Sequence, residues 1–182
     1  MKKMTKFFAL ALLAGAMVSC STEDIAPSTQ NDKVAVQFTG GISVNTRAAG
    51  LAWADGDMIG IFMTGTKQPL SADAIKEGVD NVCYQSNGSI GFSPVSGGKT
   101  IFFPIDGDVD FYSYYPQTTV NDYKVALDVT DQGKQEAIDF MYAKTEGCNK
   151  ATPQVFLKFY HKLSNLILDV QPGNGLTQED LK

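Results

Sequence analysis

Apolar and polar residues alternate along most of the chain from residue 33 onward, which is the pattern of β-strands buried on one face. Residues 34–38 alternate in this way, and an apolar, β-rich run at 57–64 follows the turn signal Asp55-Gly56. Further strands are predicted at 100–103, 109–115, 123–129, 153–160 and 162–170. The turn signal Asp106-Gly107 predicts a hairpin that joins the first two of these.

A helical pattern is found at residues 71–78, where Ser71 is a candidate N-cap and Gly78 a stop signal for one or two turns. Short strands at close spacing, together with 17 glycines and 7 prolines, predict an all-β fold. The specific prediction is a Greek-key β-sandwich of the transthyretin-like type over residues 33–182, with at most one short helix.

The N-terminus has the order of a signal peptide. Lys2, Lys3 and Lys6 precede an uncharged apolar run at 7–18, and small residues then lead to Cys20. This order predicts a signal peptide over residues 1–19. A helix of the twelve apolar residues rises about 18 Å, well short of the roughly 30 Å hydrocarbon core of a membrane. A membrane-spanning helix is therefore not expected here.

The residues Met17-Val18-Ser19-Cys20 resemble the bacterial lipobox, in which the cysteine thiol is acylated and the cysteine becomes the first mature residue. A plain signal peptide with an incidental cysteine is the alternative. Residues 20–32 are polar and without an apolar period, so they predict a flexible tether. Glu23 and Asp24 resemble the signal that sends lipoproteins of Bacteroides-like bacteria to the outer face of the outer membrane, and a simply polar linker is the alternative.

The net charge of the mature chain limits the classes of partner that it attracts. Removing the three signal-peptide lysines from the 15 basic residues leaves 12 against 20 acidic residues, a formal charge of −8. Such a chain does not attract nucleic acid or anionic lipid, so membrane attachment has to come from acyl chains, of which a mature lipobox cysteine carries two or three by resemblance.

Cys83 lies in a strand-like stretch and Cys148 in a polar turn. The sequence leaves open whether they form a disulfide or stay as two free thiols.

The residue types that enzymes need are missing. His161 is the only histidine and lies beside aromatic residues, where a hydrogen-bonding core or turn role is expected. Phosphate-binding glycine motifs and a nucleophile elbow are absent from the sequence. The acidic run 106–110 fails as a calcium loop, because Phe111 and Gln117 occupy the positions that require glycine and glutamate. The sequence therefore predicts no enzyme activity, no cofactor and no metal site.

Arg47 is the only arginine and lies among small and polar residues between the first strand and Trp53, in the kind of loop that proteases cut. With the motifs that follow it, this segment resembles the start of the fimbrillin family, the lipoprotein pilus subunits of Bacteroidales. The motifs occur in order at 46–48, 53–63, 101–104, 109–116, 139–143 and 159–164.

The resemblance implies a route of assembly. A precursor lipidated at Cys20 is carried to the cell surface, and an arginine-specific protease cuts between Arg47 and Ala48. The cut releases the lipid and a first strand at about 33–38, and a strand of the next subunit fills the groove, so outer-membrane lipoproteins become a fimbrium. Fimbrillins are usually two-domain chains of about twice this length, so 33–182 is expected to be the N-terminal domain of such a chain. A short family member that cannot donate a strand is the alternative.

Two points stay open at the level of sequence. The role as stalk, tip or anchor subunit is one, since all share these motifs, and ligands on host or bacterial surfaces are possible partners of an adhesin. The other is a different class of function, a monomeric lipid-anchored module that binds glycan through Tyr112, Tyr114, Tyr115 and Trp53.

Overall fold

Seven β-strands and a short 3₁₀ helix are formed by the described residues, which are 33–43, 52–131, 133, 138–163, 174–175 and 179 of the computed structural model. All of them lie in one unit of the chain, Asp32–Lys182. The strands are β1 (Gln37–Ile42), β2 (Asp55–Gly65), β3 (Val82–Asn87), β4 (Gly91–Pro94), β5 (Val109–Tyr115), β6 (Met141–Cys148) and β7 (Gln154–His161), and the 3₁₀ helix is Ala72–Ala74.

The strands form a closed ring in the order β1-β4-β3-β2-β5-β6-β7. Neighbours are antiparallel throughout except for β1 and β7, which are parallel. The all-β prediction is confirmed. Because the ring is continuous, the strand order is that of a barrel and does not by itself separate the two sheets of a Greek-key sandwich. In the described ranges, no helix is long and apolar enough to span a bilayer.

β2 and β5 lie side by side and are buried on both faces. Ile61, Met63 and Phe111 point into the main core, while Phe62 and Tyr112 lie on the opposite face. That second face is covered by what we call the aromatic cluster, which consists of Phe62, Tyr112 and Tyr114 with Leu70, Ile75, Val120, Tyr123, Val125, Phe140 and Tyr142 packed against them. Burial on both faces explains why these two strands read as apolar runs rather than as alternating ones.

The predicted strand at 100–103 and its hairpin to β5 are wrong. Phe102 forms only an isolated bridge, to Ala35, and β5 pairs with β2 and β6 instead. The Val36 amide donates to the Ile101 carbonyl at 2.9 Å, and the Phe103 amide donates to the Val34 carbonyl at 2.9 Å. Gly107 does turn the chain with a φ of 88°, but a turn signal fixes only local direction and not the strand that is met afterward.

Two further predicted elements, a strand and a helix, do not form as the sequence pattern predicts. No strand forms at 123–129, where Leu127 and Val129 are each 42% exposed, although Tyr123 and Val125 do pack on the aromatic cluster. The helix predicted at 71–78 shortens to the single 3₁₀ turn, and Ser71 makes no capping hydrogen bond through its side chain.

The remaining strand predictions are mostly confirmed. β2, β5 and β7 form close to where the sequence pattern places them, and Cys83 lies in β3. Cys148 is not in a turn but is the buried last residue of β6, and both cysteines are free thiols. Of the strand predicted at 162–170, residues 164–170 lie outside the described residues.

Candidate functional site

β1 closes the ring by lying between β4 and β7. It pairs with β7 in parallel over its whole length, from Gln37 opposite Gln154 to Ile42 opposite Phe159. On the other side it pairs with β4, where Phe38 faces Phe92. Because β1 is hydrogen-bonded on both sides, neither β4 nor β7 has a free edge in the intact chain.

One face of β1 points into the main core with a period of two residues. Val36 and Phe38 are buried, and Val34 and Ile42 pack against the same core from either end. The Phe38 ring makes edge contacts with Tyr84 at 5.3 Å and Phe111 at 5.1 Å between ring centroids. The first strand is therefore part of the core, but its bounds differ from the predicted 33–38, because β1 begins at Gln37 and ends at Ile42.

Trp53 lies near the start of the next described segment and is buried in the core beside β1. It is 5% exposed, and its indole nitrogen donates a hydrogen bond to the Gly40 carbonyl at 3.1 Å. The indole lies edge-on to Phe92 at 5.1 Å and to Phe159 at 4.9 Å. The glycan-binding alternative requires Trp53 to be exposed, and a side chain enclosed in this way is not available for stacking on a surface glycan.

The residues that the sequence assigns to lipidation and cutting, Cys20, Arg47 and Ala48, lie outside the described residues. Their place in the order of elements is nevertheless fixed. Ser43 still donates its amide to the Phe159 carbonyl at 2.8 Å, and Trp53 is already in the core, so residues 44–51 connect β1 to Trp53. A cut anywhere between them severs β1 from every later element.

The tyrosines that the sequence singles out for glycan binding are divided between two environments. Tyr112 and Tyr114 line an open cavity of about 330 Å³ in the aromatic cluster, together with Phe62, Phe140 and Tyr142. Tyr115, by contrast, packs against the main core, 5.5 Å from Trp53.

The tyrosine groups that line this cavity already have partners within the chain. Phe62 and Phe140 stack on Tyr114 at 6.1 and 6.0 Å, and the ammonium group of Lys144 lies 4.9 Å from the centroid of Tyr112. The Tyr114 hydroxyl bonds to Thr118 and the Tyr112 hydroxyl donates to the Gln68 carbonyl. Burial raises the pKa of Tyr114, which keeps its hydroxyl protonated.

A sequence profile described as fimbrillin-like matches residues 46–182, which is most of the chain. The chain belongs to the fimbrillin-like family. The resemblance seen in the sequence motifs is thereby confirmed, and the match begins one residue before Arg47.

Named relatives of this fimbrillin-like chain come from Bacteroides. Fim1C of Bacteroides uniformis, named as a candidate fimbrium subunit, is 37% identical over 94% of the chain and 57% of its own length. Two crystal structures, titled as candidate cell adhesion proteins, each match 71% of the chain. The structure from Bacteroides uniformis is 38% identical in sequence, superposes with a TM-score of 0.56 and is covered over 49% of its own length. The structure from Bacteroides ovatus is 26% identical, superposes with a TM-score of 0.50 and is covered over 53% of its own length. The chain thus spans about half of the length of each of these relatives.

Asp110, the last carboxylate of the acidic run in the fimbrillin-like chain, is held by hydrogen bonds within the fold. Its carboxylate is fully buried and accepts hydrogen bonds from the Thr66 hydroxyl at 3.0 Å, the Lys67 amide at 2.8 Å and the Gly147 amide at 3.0 Å. It therefore ties the start of β5 to the turn that follows β2 and to the last residues of β6. Among the described residues, no group of metal-ligating side chains is close enough to hold an ion.

His161 has the role that its sequence context predicts. Its ring is buried at the end of β7, and Nδ1 lies 2.7 Å from the Asp139 carboxylate. Asp139 could not be predicted as the partner from the sequence, because the pairing of β6 with β7 is what brings the two residues together.

Cys148 is expected to be nearly inert toward alkylation in the folded chain. Burial and the nearby carboxylates of Asp110 and Asp108 raise its pKa to about 11. The thiolate is the reacting form, so native Cys148 should react with iodoacetamide at pH 8 roughly a hundredfold more slowly than in the urea-unfolded chain. The native rate should rise as pH increases from 7 to 9. Peptide mapping by mass spectrometry measures both rates, and equal rates would contradict the burial of this thiol.

Proposed function

We propose that this fimbrillin-like chain is a fimbrium subunit precursor, attached by lipid at Cys20 to the outer membrane, cut between Arg47 and Ala48, and assembled by strand exchange. The observation that carries the proposal is the position of β1, which lies between β4 and β7 and is followed by the Arg47 segment. The proposed activity is structural and not enzymatic, in keeping with the family.

Loss of β1 would create an acceptor site for another strand. The carbonyls of Pro153 and Ile90, which accept from Gln37 and Gly40, would lose their donors, and so would the Phe159 carbonyl, which accepts from Ser43. The core contacts of Phe38 would be lost at the same time. One added strand with the same alternation restores both the hydrogen bonds and the apolar contacts. Since donor and acceptor surfaces differ, repeated addition gives an open filament rather than a closed dimer.

The place of Arg47 determines what a cut releases. β1 ends at Ile42 and Trp53 is held in the core, so a cut after Arg47 frees the lipid site and β1 together while Trp53 stays behind. Cys20 is thus a temporary attachment in this proposal. Its acylation, its outer-membrane location and the subunits that supply the new strand all belong to the proposal.

Assembly accounts for the structure better than the glycan-binding alternative does. Trp53 is enclosed in the core, and Tyr112 and Tyr114 already have ring, cation and hydrogen-bond partners within the chain. β1, by contrast, is a strand whose removal would leave a defined site for a strand of another subunit.

The first test is cleavage of the folded precursor by an arginine-specific protease. We expect one cut, after Arg47, because this is the only arginine and lies between β1 and Trp53. Arg47→Lys keeps the charge and removes the recognised residue, so it is the matched control and should stay intact. Intact mass spectrometry identifies the products. A folded wild-type chain that resists the protease, while the urea-unfolded chain is cut, would exclude maturation at this residue.

A further inference from the structure

Gly40 is the one inward-facing position of β1 without a side chain. It lies in the row formed by Val36, Phe38 and Ile42, and it is buried. The rings of Phe92 and Phe159 take the space that a side chain would fill, and both of them pack edge-on against Trp53. We call these three rings, Trp53, Phe92 and Phe159, the ring notch. The Trp53 indole also bonds to the carbonyl of Gly40 itself.

A larger residue at this position would collide with groups that cannot easily move. A Cβ on Gly40 would lie 2.9 Å from the Phe92 ring, 3.3 Å from the Phe159 ring and 3.3 Å from the Leu157 carbonyl oxygen. The Leu157 oxygen is backbone, and both phenylalanine rings are held against Trp53. Core positions packed in this way respond to added methyl groups with strain.

The ring notch also distinguishes registers that alternation cannot. A strand shifted by one residue turns its apolar face to solvent, so the period of two already excludes that error. A shift by two residues keeps the apolar face inward, but it places Phe38 or Ile42 over the notch in place of glycine. The notch is therefore what rejects a two-residue slip.

We propose that any strand accepted between β4 and β7 must carry glycine at the position of Gly40, and that the ring notch thereby selects the partner strand and fixes its register, an inference that rests on the proposed function. The partner is a β-strand of a second polypeptide with apolar residues at alternate positions around that glycine. It runs parallel to β7 and antiparallel to β4, as β1 does.

The chain itself supplies a matched control at the next residue. Gly41 is in the same strand but on the opposite face, where an added Cβ would meet only the Phe156 ring, at 3.1 Å. Phe156 is 53% exposed and can move aside. Gly40→Val and Gly41→Val therefore change strand propensity equally and differ only in whether the side chain meets the ring notch.

The experiment follows the binding of labelled peptides to the chain after the cut at Arg47. Peptides of sequence 33–43 are made as wild type, G40V and G41V, and their affinities are measured by fluorescence polarisation with excess unlabelled wild-type peptide as competitor. The wild-type and G41V peptides are expected to bind with similar affinity, and G40V roughly tenfold or more weakly. Similar affinities for G40V and G41V would overturn the ring notch while leaving strand exchange intact. If the cut chain binds none of the peptides, strand exchange itself fails and the inference fails with it.

The intact chain gives a second measurement that does not depend on cutting. Gly40→Val is expected to lower the midpoint of thermal unfolding by roughly 4 °C or more relative to Gly41→Val. Gly40→Ala serves if the valine variant does not fold, and it should again be less stable than Gly41→Ala. Equal midpoints for the paired variants would show that the notch accepts a side chain and would overturn the proposal.

Discussion

Replacing Phe111 with alanine is expected to lower the free energy of unfolding by about 3 to 5 kcal/mol. Phe111 is fully buried in the middle of β5 and touches the rings of Phe38 at 5.1 Å and Phe103 at 5.9 Å. Its removal leaves a cavity between β1 and β5 that strands fixed by hydrogen bonds on both sides cannot close. The lost contacts also reach β1, so this variant weakens the element that the proposal depends on.

Urea unfolding followed by tryptophan fluorescence measures the Phe111 effect, since Trp53 is the only tryptophan and lies in the same core. Phe156→Ala is the matched control, because it removes the same ring from an exposed position of β7. The control should change stability by less than about 1 kcal/mol. A comparable loss in both variants would mean that Phe111 is not the core residue described above.

Asp110→Ala should cost about 3 to 4 kcal/mol, because it leaves three hydrogen-bond donors without their acceptor at a buried site. Asp110→Asn should cost about half as much. One carboxylate oxygen accepts from Thr66 and Gly147, and the other accepts from Lys67. The amide oxygen of asparagine can still accept on one side, whereas its NH₂ group faces a donor on the other side and cannot accept from it.

The Asp110 variants are compared with a control and with a calcium titration, which together distinguish a hydrogen-bonding role of Asp110 from calcium binding. Asp106→Asn, at an exposed position of the same run, is the control and should change stability by less than about 0.5 kcal/mol. If the stability losses of the Asp110 variants reflected loss of a bound calcium ion, wild-type stability would rise on addition of calcium and fall with a chelator. We expect neither change in urea unfolding curves, and a calcium-dependent shift would contradict the purely structural role of Asp110.

The sequence predicted the all-β class and three strands well, because β2, β5 and β7 have strong local patterns of apolar residues. It failed at 100–103, where the local turn signal suggested a hairpin and the true partner, Val34 to Val36, is far away in the chain. It failed again at 123–129, where alternation was present but only Tyr123 and Val125 found an apolar surface. Pattern indicates that a segment can form a strand, whereas pairing depends on the whole fold.

The candidate site was predicted to a similar extent. The alternation at 34–38 overlaps β1 only at its first two residues, and the single arginine marks the segment after it. The position of that strand between β4 and β7 could not be read from the sequence, because it depends on pairs separated by more than a hundred residues. The importance of Gly40 was hidden for the same reason, since Phe92 and Phe159, which surround it, come from distant strands. The acidic run that contains Asp110 was considered only as a calcium loop that fails, and the burial of this carboxylate was not predicted.

The parallel pairing of β1 with β7 also bears on how the chain folds. Gln37 and Gln154 bond through their side chains across 117 positions of sequence. Among the described strands, β1 is synthesised first and its parallel partner β7 last. Closing so long a loop is slow compared with forming the antiparallel neighbours, which can pair as soon as they are made. Until Gln154 to His161 have been translated, the β7 side of β1 has nothing to bond to. We therefore expect that the earliest of the described strands is the one that completes the ring only after β7 has been made.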